Sequence, residues 1–281
     1  MKFLEIFVYE LISIYFLIII IIYHKFRKLR LINRFNDNIY YFNNKNQSMN
    51  TILKLKKVVY SVILGNYDKI KTINIQNGYD YFLFSDVYNN ISIKTNWTIL
   101  PIPEDVKNLN VTKVKKQRFI KLHPHLYFKN YDLSIYIDAT FAITGDLNEF
   151  LLRTLSSKFY IYSFEHPYRN NIIEETFAVV RSKKEKNETT KIIRERYNRE
   201  KFPDNSGLIE SCLIIRKHNE KNCINVMENW FEEIKTYSHR DQLSFNYIIW
   251  KKKYRIKYIN KIFALQYFKQ YKHLSTKLLH K

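Results

Sequence analysis

Acidic side chains that close apolar runs are the first chemistry this chain offers. YDYFLFSD ends on Asp86 and LSIYID ends on Asp138. In open α/β sheets the carboxyl ends of strands open onto the ligand crevice, so a carboxylate there is placed to hold a metal ion or a sugar hydroxyl. Asp also ends strands simply because it starts turns. For Asp86 alone the turn reading is the stronger; for Asp138, between YDLSIYID and FAITGDL, the functional one is. A second candidate is EHPYRNNIIEE at 165–175. There Arg169 has the fork that grips phosphate or carboxylate, and His166 is a candidate metal ligand or proton carrier. Glu174 and Glu175 are also the acids that a helix N-terminus favours. The third is HRDQLSFNYIIWK at 239–251, where Arg240, Asp241 and Gln242 precede the apolar residues Leu243, Phe245, Tyr247 and Ile248. Asp241 is either a helix-start acid or one of a polar trio aimed into a pocket.

Each candidate needs an element to place it. KVVYSVIL at 57–64 is a β-branched apolar run ending at the turn signal Gly65-Asn66. YDYFLFSD at 79–86 reads as a second strand and NWTILPI at 96–102 as a third, stopped by Pro101 and Pro103. From Thr112 to Phe128 the chain reads as a basic helix interrupted near Pro124, with Val114, Ile120 and Leu122 as its apolar residues. LSIYID at 133–138 has the near-continuous apolar character of a strand buried on both faces. DLNEFLLRTL then reads as a helix, KFYIYSF as a strand, NNIIEETFAVVRS as a helix and GLIESCLIIR as a strand. Two helices around 219–237 and 240–253 and a short strand RIKYI complete the pattern. Strands alternating with helices predict an α/β sandwich with a mainly parallel central sheet.

Composition excludes several function classes. The only glycines are Gly65, Gly78, Gly145 and Gly207, and no two are close. Walker-type phosphate loops and the dinucleotide fingerprint G-x-G-x-x-G both require clustered glycines and are ruled out. Two cysteines, Cys212 and Cys223, cannot build a zinc cluster or a disulfide framework. The net charge of +21 is uneven: residues 24–57 carry nine Lys/Arg against one Asp, and residues 251–281 carry ten against no acid. The body between them is nearly balanced. Basic flanks suit an anionic membrane surface as well as nucleic acid, and the general Ile, Asn, Lys and Tyr bias makes lysine weak evidence for either.

Near the amino terminus, residues 11–23, LISIYFLIIIIIY, form an uncharged apolar run. Those positions reach about 20 Å as a helix, and extension back to Ile6 gives about 27 Å, close to the hydrocarbon thickness of a bilayer. One N-terminal transmembrane helix is expected, at residues 1–23, followed by a basic juxtamembrane linker at 24–56, a catalytic body at 57–260 and a basic tail at 261–281. Lys25, Arg27, Lys28 and Arg30 follow the span, which by the positive-inside rule favours a cytosolic body. Sequons at Asn46, Asn90, Asn96, Asn110 and Asn187 would suit a lumenal one, and the side stays open.

KVVYSVILGNYDKI, YDYFLFSD, a Trp-containing strand, KLHPHLYFKNYDLSIYIDATFAITGDL, EHPYRNNIIEE and RDQLSFNYIIWK occur in an order that resembles a glycosyltransferase-like family, once called a domain of unknown function. That family includes plant proteins linked to pectin and seed-mucilage polysaccharides. The resemblance spans roughly residues 57–260 and implies a GT-A-like, Rossmann-type nucleotide-sugar fold. It implies that Asp138 stands where such enzymes put a D-x-D motif, whose Mn or Mg ion neutralises the leaving diphosphate. No D-x-D occurs in the chain, and Asp138-Ala139-Thr140 supplies one carboxylate. Lys121, Arg118 or Arg169 are the cations that could share the charge. Asp241 and Gln242 resemble the D-Q pair placed near the sugars. Asp68, in GNYD, would fall near the nucleotide, with Asp86 and His166 as further substrate contacts and Glu174 beside Asp241 as a candidate catalytic carboxylate.

The resulting expectation is a membrane-anchored glycosyltransferase that uses a nucleotide sugar and a glycan or protein acceptor. The alternative is a catalytically degenerate, glycan-binding relative. A nucleic-acid-binding role driven by the flanks ranks last, and no nucleic-acid partner is expected.

Overall fold

In the computed structural model, which describes residues 49–65, 71–86 and 95–271, the first four strands lie parallel. They are β1 (Lys57–Ile63), β2 (Tyr79–Ser85), β3 (Thr98–Leu100) and β4 (Leu133–Ile137), in the order β3-β2-β1-β4. Every residue of β1 and β4 is buried. That is why both read as unbroken apolar runs, since a strand covered on both faces has no polar side. Lys57 opens β1 and is itself buried; its ammonium donates to the carbonyls of Ile52 and Leu55 at 2.8 and 2.9 Å. Those bonds hold α1 (Met49–Lys54) against the sheet, inside the segment expected to be linker.

Beyond β4 the sheet continues through β7 (Ile209–Arg216), β6 (Ile161–Glu165) and β8 (Lys257–Ile259). β7 runs antiparallel to both β4 and β6, while β8 returns parallel to β6. The mainly parallel sheet is thus interrupted by one reversed strand. A doubly covered strand has the same apolar composition in either direction, so its pattern is silent on polarity.

Successive side chains of a strand face opposite ways, and the two faces build two cores. Tyr60 of β1, Tyr136 of β4 and Ile214 of β7 pack with Ile120 and Leu122 of α3 (Lys113–Leu122) and Trp230 and Phe231 of α8 (Lys221–Thr236). Val59, Ile135 and Ile215 pack on the other side with Leu147, Phe150 and Leu151 of α5 (Leu147–Thr154). Each fully buried side chain of this kind contributes about 1.5–3 kcal/mol. Between these elements lie the short helices α2 (Glu104–Lys107) and α4 (Pro124–Tyr127). The longer α6 (Ile172–Arg181) and α7 (Asn187–Arg199) connect β6 to β7. α7 carries only Thr190, Ile193 and Tyr197 as buried residues, too sparse a stripe to announce a helix. The 3-10 turn Asp241–Leu243 and α9 (Phe245–Lys251) follow α8.

A two-stranded antiparallel ribbon joins β5 (Phe141–Ile143), just past Asp138, to β9 (Phe268–Gln270), which follows α10 (Lys261–Ala264). The folded body therefore runs past the expected boundary at residue 260. Gly145 lets the ribbon close: the N–H groups of Thr144 and Gly145 donate to the Tyr267 carbonyl, and a Cβ at Gly145 would lie 2.8 Å from the Tyr267 Cα. The apolar run at 11–23 and the residues up to 48 lie outside the described residues. Among the described residues, no helix is long and apolar enough to cross a membrane.

Candidate functional site

Asp138 follows β4 directly, and its N–H donates to the Cys212 carbonyl of β7 at 2.9 Å. Its side chain keeps 31% of its surface exposed. Tyr136, two residues earlier and so on the same side of the strand, donates its hydroxyl to Asp138 Oδ1 at 2.6 Å. Burial, then the neighbouring Asp138, pushes the Tyr136 phenol well above its ordinary pKa, so it remains a proton donor at neutral pH. Gln117 Nε2 donates to the same hydroxyl at 2.9 Å. Lys121 Nζ stands 3.9 Å from Asp138 Oδ1 and 4.8 Å from the centre of the Tyr136 ring. Gln117 and Lys121 are one turn apart on α3, which sets both against the end of β4.

Asp138 also borders a shallow, solvent-open surface hollow lined by Ser61, Ile63, Lys71, Trp97, Ala139 and Phe141 among others. Lys71 Nζ donates to the Ala139 carbonyl at 3.3 Å and lies 4.9 Å from the centre of the Tyr271 ring. Trp97 Nε1 fixes the Lys71 backbone by donating to its carbonyl at 2.9 Å.

Behind Asp138, Lys121 is shared with a second carboxylate. Asp241 Oδ2 accepts from Lys121 Nζ at 2.7 Å and from Ser211 Oγ at 2.8 Å, and Arg118 Nε is 3.4 Å away. Lys121 Nζ also donates to Ser211 Oγ at 3.1 Å. Asp241 Oδ1 accepts the N–H of Gln242 at 3.0 Å, and its carbonyl accepts Trp230 Nε1 at 2.9 Å. Burial opposes the charge on Asp241, but Arg118, Lys121 and Arg240 outweigh it and hold the carboxyl well below the usual range. A carboxylate this buried and this strongly paired is a poor proton acceptor near neutrality. Asp241, expected to contact a sugar or act as base, has the geometry of a fixed anion organising Lys121 and Arg118.

The other expected residues divide among separate places. Asp86 accepts from the Gly65 N–H at 2.6 Å and pairs with Lys113 at 2.9 Å. Burial works against its charge, but these two partners bring its pKa down. It closes the turn after β1, and β1 itself separates β2 from β4. Arg169 is engaged by Glu175 through Nε, and its Nη2 lies 3.2 Å from His166 Nε2. His166 Nδ1 in turn accepts the N–H groups of Tyr168 and Arg169 at 3.2 and 3.0 Å. That cluster stabilises the turn from β6 into α6 and uses the fork expected to clamp a substrate. Glu174 stands on the exposed side of α6, while Glu175 is the buried acid of the pair. Glu174, expected as a catalytic carboxylate, is thus turned toward solvent by the helix. Gln242 Nε2 is bonded to the Ile209 carbonyl at 2.9 Å, an anchor for the turn rather than a free contact. Asp68 lies outside the described residues.

Reading by motif missed Lys71, Gln117, Tyr136 and Ser211. The available signals were the Gln117/Lys121 spacing of four on a helix and the Tyr136/Asp138 spacing of two on a strand. Lys71 had none.

Among the described residues Asp138 is the one carboxylate lining the hollow, and an Mg²⁺ ion bound through one carboxylate leans on substrate phosphates and water for its other ligands. Among the described residues no group of three or more His, Cys, Asp or Glu could hold a metal ion. The one carboxylate at the hollow has a phenol and an ammonium beside its Oδ1. Oxygen-rich coordination is what Mg²⁺ or Mn²⁺ requires. Among the described residues, a single carboxylate already shared with a phenol and an ammonium is a poor match for the Mn or Mg ion that the family resemblance implies.

The family model described as TOD1/MUCI70, glycosyltransferase-like domain, matches residues 36–280. No match was found among curated protein sequences. Among solved structures, the bifunctional glycosyltransferase WbbM is 12% identical with a TM-score of 0.44, over 73% of this chain and 39% of that one. Mouse xyloside xylosyltransferase 1 is 8% identical with a TM-score of 0.42, over 72% and 85% respectively. The galactosyltransferase LgtC, solved with donor and acceptor sugar analogues, is 12% identical with a TM-score of 0.41, over 73% of each chain. The chain thus spans well under half of WbbM, the first of these.

Proposed function

Because the chain belongs to the TOD1/MUCI70 glycosyltransferase-like family, we propose that it moves a sugar from a nucleotide-sugar donor to a hydroxyl of a glycan or protein, tethered to a membrane by residues 11–23. In such a transfer a C–O bond forms between the acceptor oxygen and the anomeric carbon as the bond from that carbon to the diphosphate breaks. The acceptor hydroxyl loses a proton and the nucleotide leaves as its diphosphate. The protein must therefore hold the sugar in one pose and stabilise the charge growing on the leaving group.

One observation supports this reading above the others: a half-exposed carboxylate, Asp138, at the carboxyl end of a buried parallel strand, facing a hollow that also holds a cation, Lys71. Asp138 is the group that would accept a donor-sugar hydroxyl, and Tyr136, Gln117 and Lys121 keep it in place. Asp241, Ser211 and Arg118 act one step behind, by fixing Lys121.

The test is hydrolysis of UDP- and GDP-sugars by the full chain, wild type against Asp138→Asn. Loss of a positioned charge-bearing group in an active site costs on the order of 10²-fold or more in rate. Equal rates in the two proteins would remove Asp138 from the mechanism. That Asp138 is the one carboxylate lining the hollow among the described residues favours one other reading, a degenerate relative that only binds glycans, and this would appear as no hydrolysis and no nucleotide binding by the wild type.

A further inference from the structure

The leaving diphosphate carries at least two negative charges, and among the described residues the one carboxylate at the hollow is already shared with a phenol and an ammonium. Side-chain cations are the other source of positive charge. The cations around the site differ sharply in how they are used. Lys113 is paired with Asp86, Lys121 and Arg118 with Asp241, Arg169 with Glu175 and Lys261 with Glu210. Lys71 is different: its partners among the described residues are neutral, the Ala139 carbonyl and the face of Tyr271. An ammonium against a carbonyl and an aromatic ring keeps its full charge for a third partner. Lys269 of β9 also lies against the Tyr271 ring, at 5.3 Å, so the ring that Lys71 faces carries a second ammonium. The ribbon brings these groups to Asp138, since the Tyr271 N–H donates to the Thr140 carbonyl at 2.7 Å. Asp138 need not repel an anion arriving there, because Tyr136 takes up its Oδ1 and Lys121 offsets its charge.

We infer that Lys71, assisted by Lys269, is the diphosphate-holding cation of the hollow, and that nucleotide binding here does not depend on a divalent metal. This rests on the nucleotide-sugar reading above and names how that site meets its ligand's charge.

Isothermal titration of UDP and of GDP into the full chain tests it, in EDTA and in Mn²⁺, for the wild type, Lys71→Gln and Lys71→Arg. Uridine and guanosine serve as phosphate-free controls. Whichever diphosphate binds should bind equally in EDTA and in Mn²⁺. Lys71→Gln should weaken it on the order of ten-fold or more, the effect of losing a charge-assisted contact to phosphate. Lys71→Arg should restore most of the affinity, and nucleoside binding should be unchanged in both variants. Diphosphate binding that disappears in EDTA and returns with Mn²⁺ would overturn the inference while leaving the transferase reading intact. So would wild-type affinity in Lys71→Gln. Failure of both nucleotides to bind the wild type under every condition would instead remove the nucleotide-sugar reading, and this inference with it.

Discussion

Asp138 and Asp241 are the same residue type and share one lysine, yet they stand in opposite regimes. Asp241 is 4% exposed at the side chain and holds Lys121 at 2.7 Å; Asp138 is 31% exposed and sits 3.9 Å from the same ammonium. For Asp241 the desolvation cost is offset by two cations, a serine hydroxyl and a backbone N–H, so its ionisation is locked. Asp138 spends one oxygen on Tyr136 and remains open on the side of the hollow. A strand end and a helix start both offered an acid in the sequence. Burial decides which of the two can still meet a ligand.

The largest expected effect comes from breaking the buried member. Asp241→Asn leaves Lys121 and Arg118 in a dry environment without their anion, which costs about 3–5 kcal/mol of stability, read as a lowered midpoint in urea. The same pair gives a pH signature. The folded carboxyl lies well below its unfolded value near 4, so its contribution is fully present above that pH and is lost as the pH falls toward the folded pKa. The stability gap between wild type and Asp241→Asn should therefore be constant above about pH 5 and narrow below about pH 4. A gap of the same size at pH 3 and pH 7 would show that Asp241 is not held as an anion.

Asp138→Asn should reverse the pattern. Its hydrolysis rate is expected to fall on the order of 10²-fold, while its unfolding free energy from urea titration changes by no more than about 1 kcal/mol, as suits a partly exposed ion pair. A destabilisation as large as that of Asp241→Asn would erase the distinction between the two acids and assign both to the scaffold.

This contrast marks where sequence reading succeeds and where it stops. β1 and β4 are legible because both faces are buried, and Asp138 stands out because it closes such a strand. The identity of Asp241 as a notable residue was equally visible, but its role was not. Its partners Lys121 and Ser211 lie 120 and 30 positions away, and only the packing of α3 and β7 onto the 3-10 turn brings them together. EHPYRNNIIEE shows a related effect. A dense set of polar residues satisfies itself locally, with Arg169 turned onto Glu175, so proximity in sequence marked a self-contained turn. The direction of β7 and the ribbon pairing of residues beyond 260 are non-local facts that no local pattern encodes.

Tyr136→Phe gives the smallest effect and the finest test of the comparison. It removes the hydroxyl that donates to Asp138 Oδ1 and accepts from Gln117, while keeping the ring against Lys121 and Tyr60. Loss of one such hydrogen bond costs about 1 kcal/mol of stability. If Asp138 must be oriented to work, kcat should fall on the order of ten-fold as its carboxylate gains rotational freedom, with KM nearly unchanged. A change in stability without a change in kcat would mean that the phenol serves the core alone, and that the open side of Asp138 needs no orientation from Tyr136.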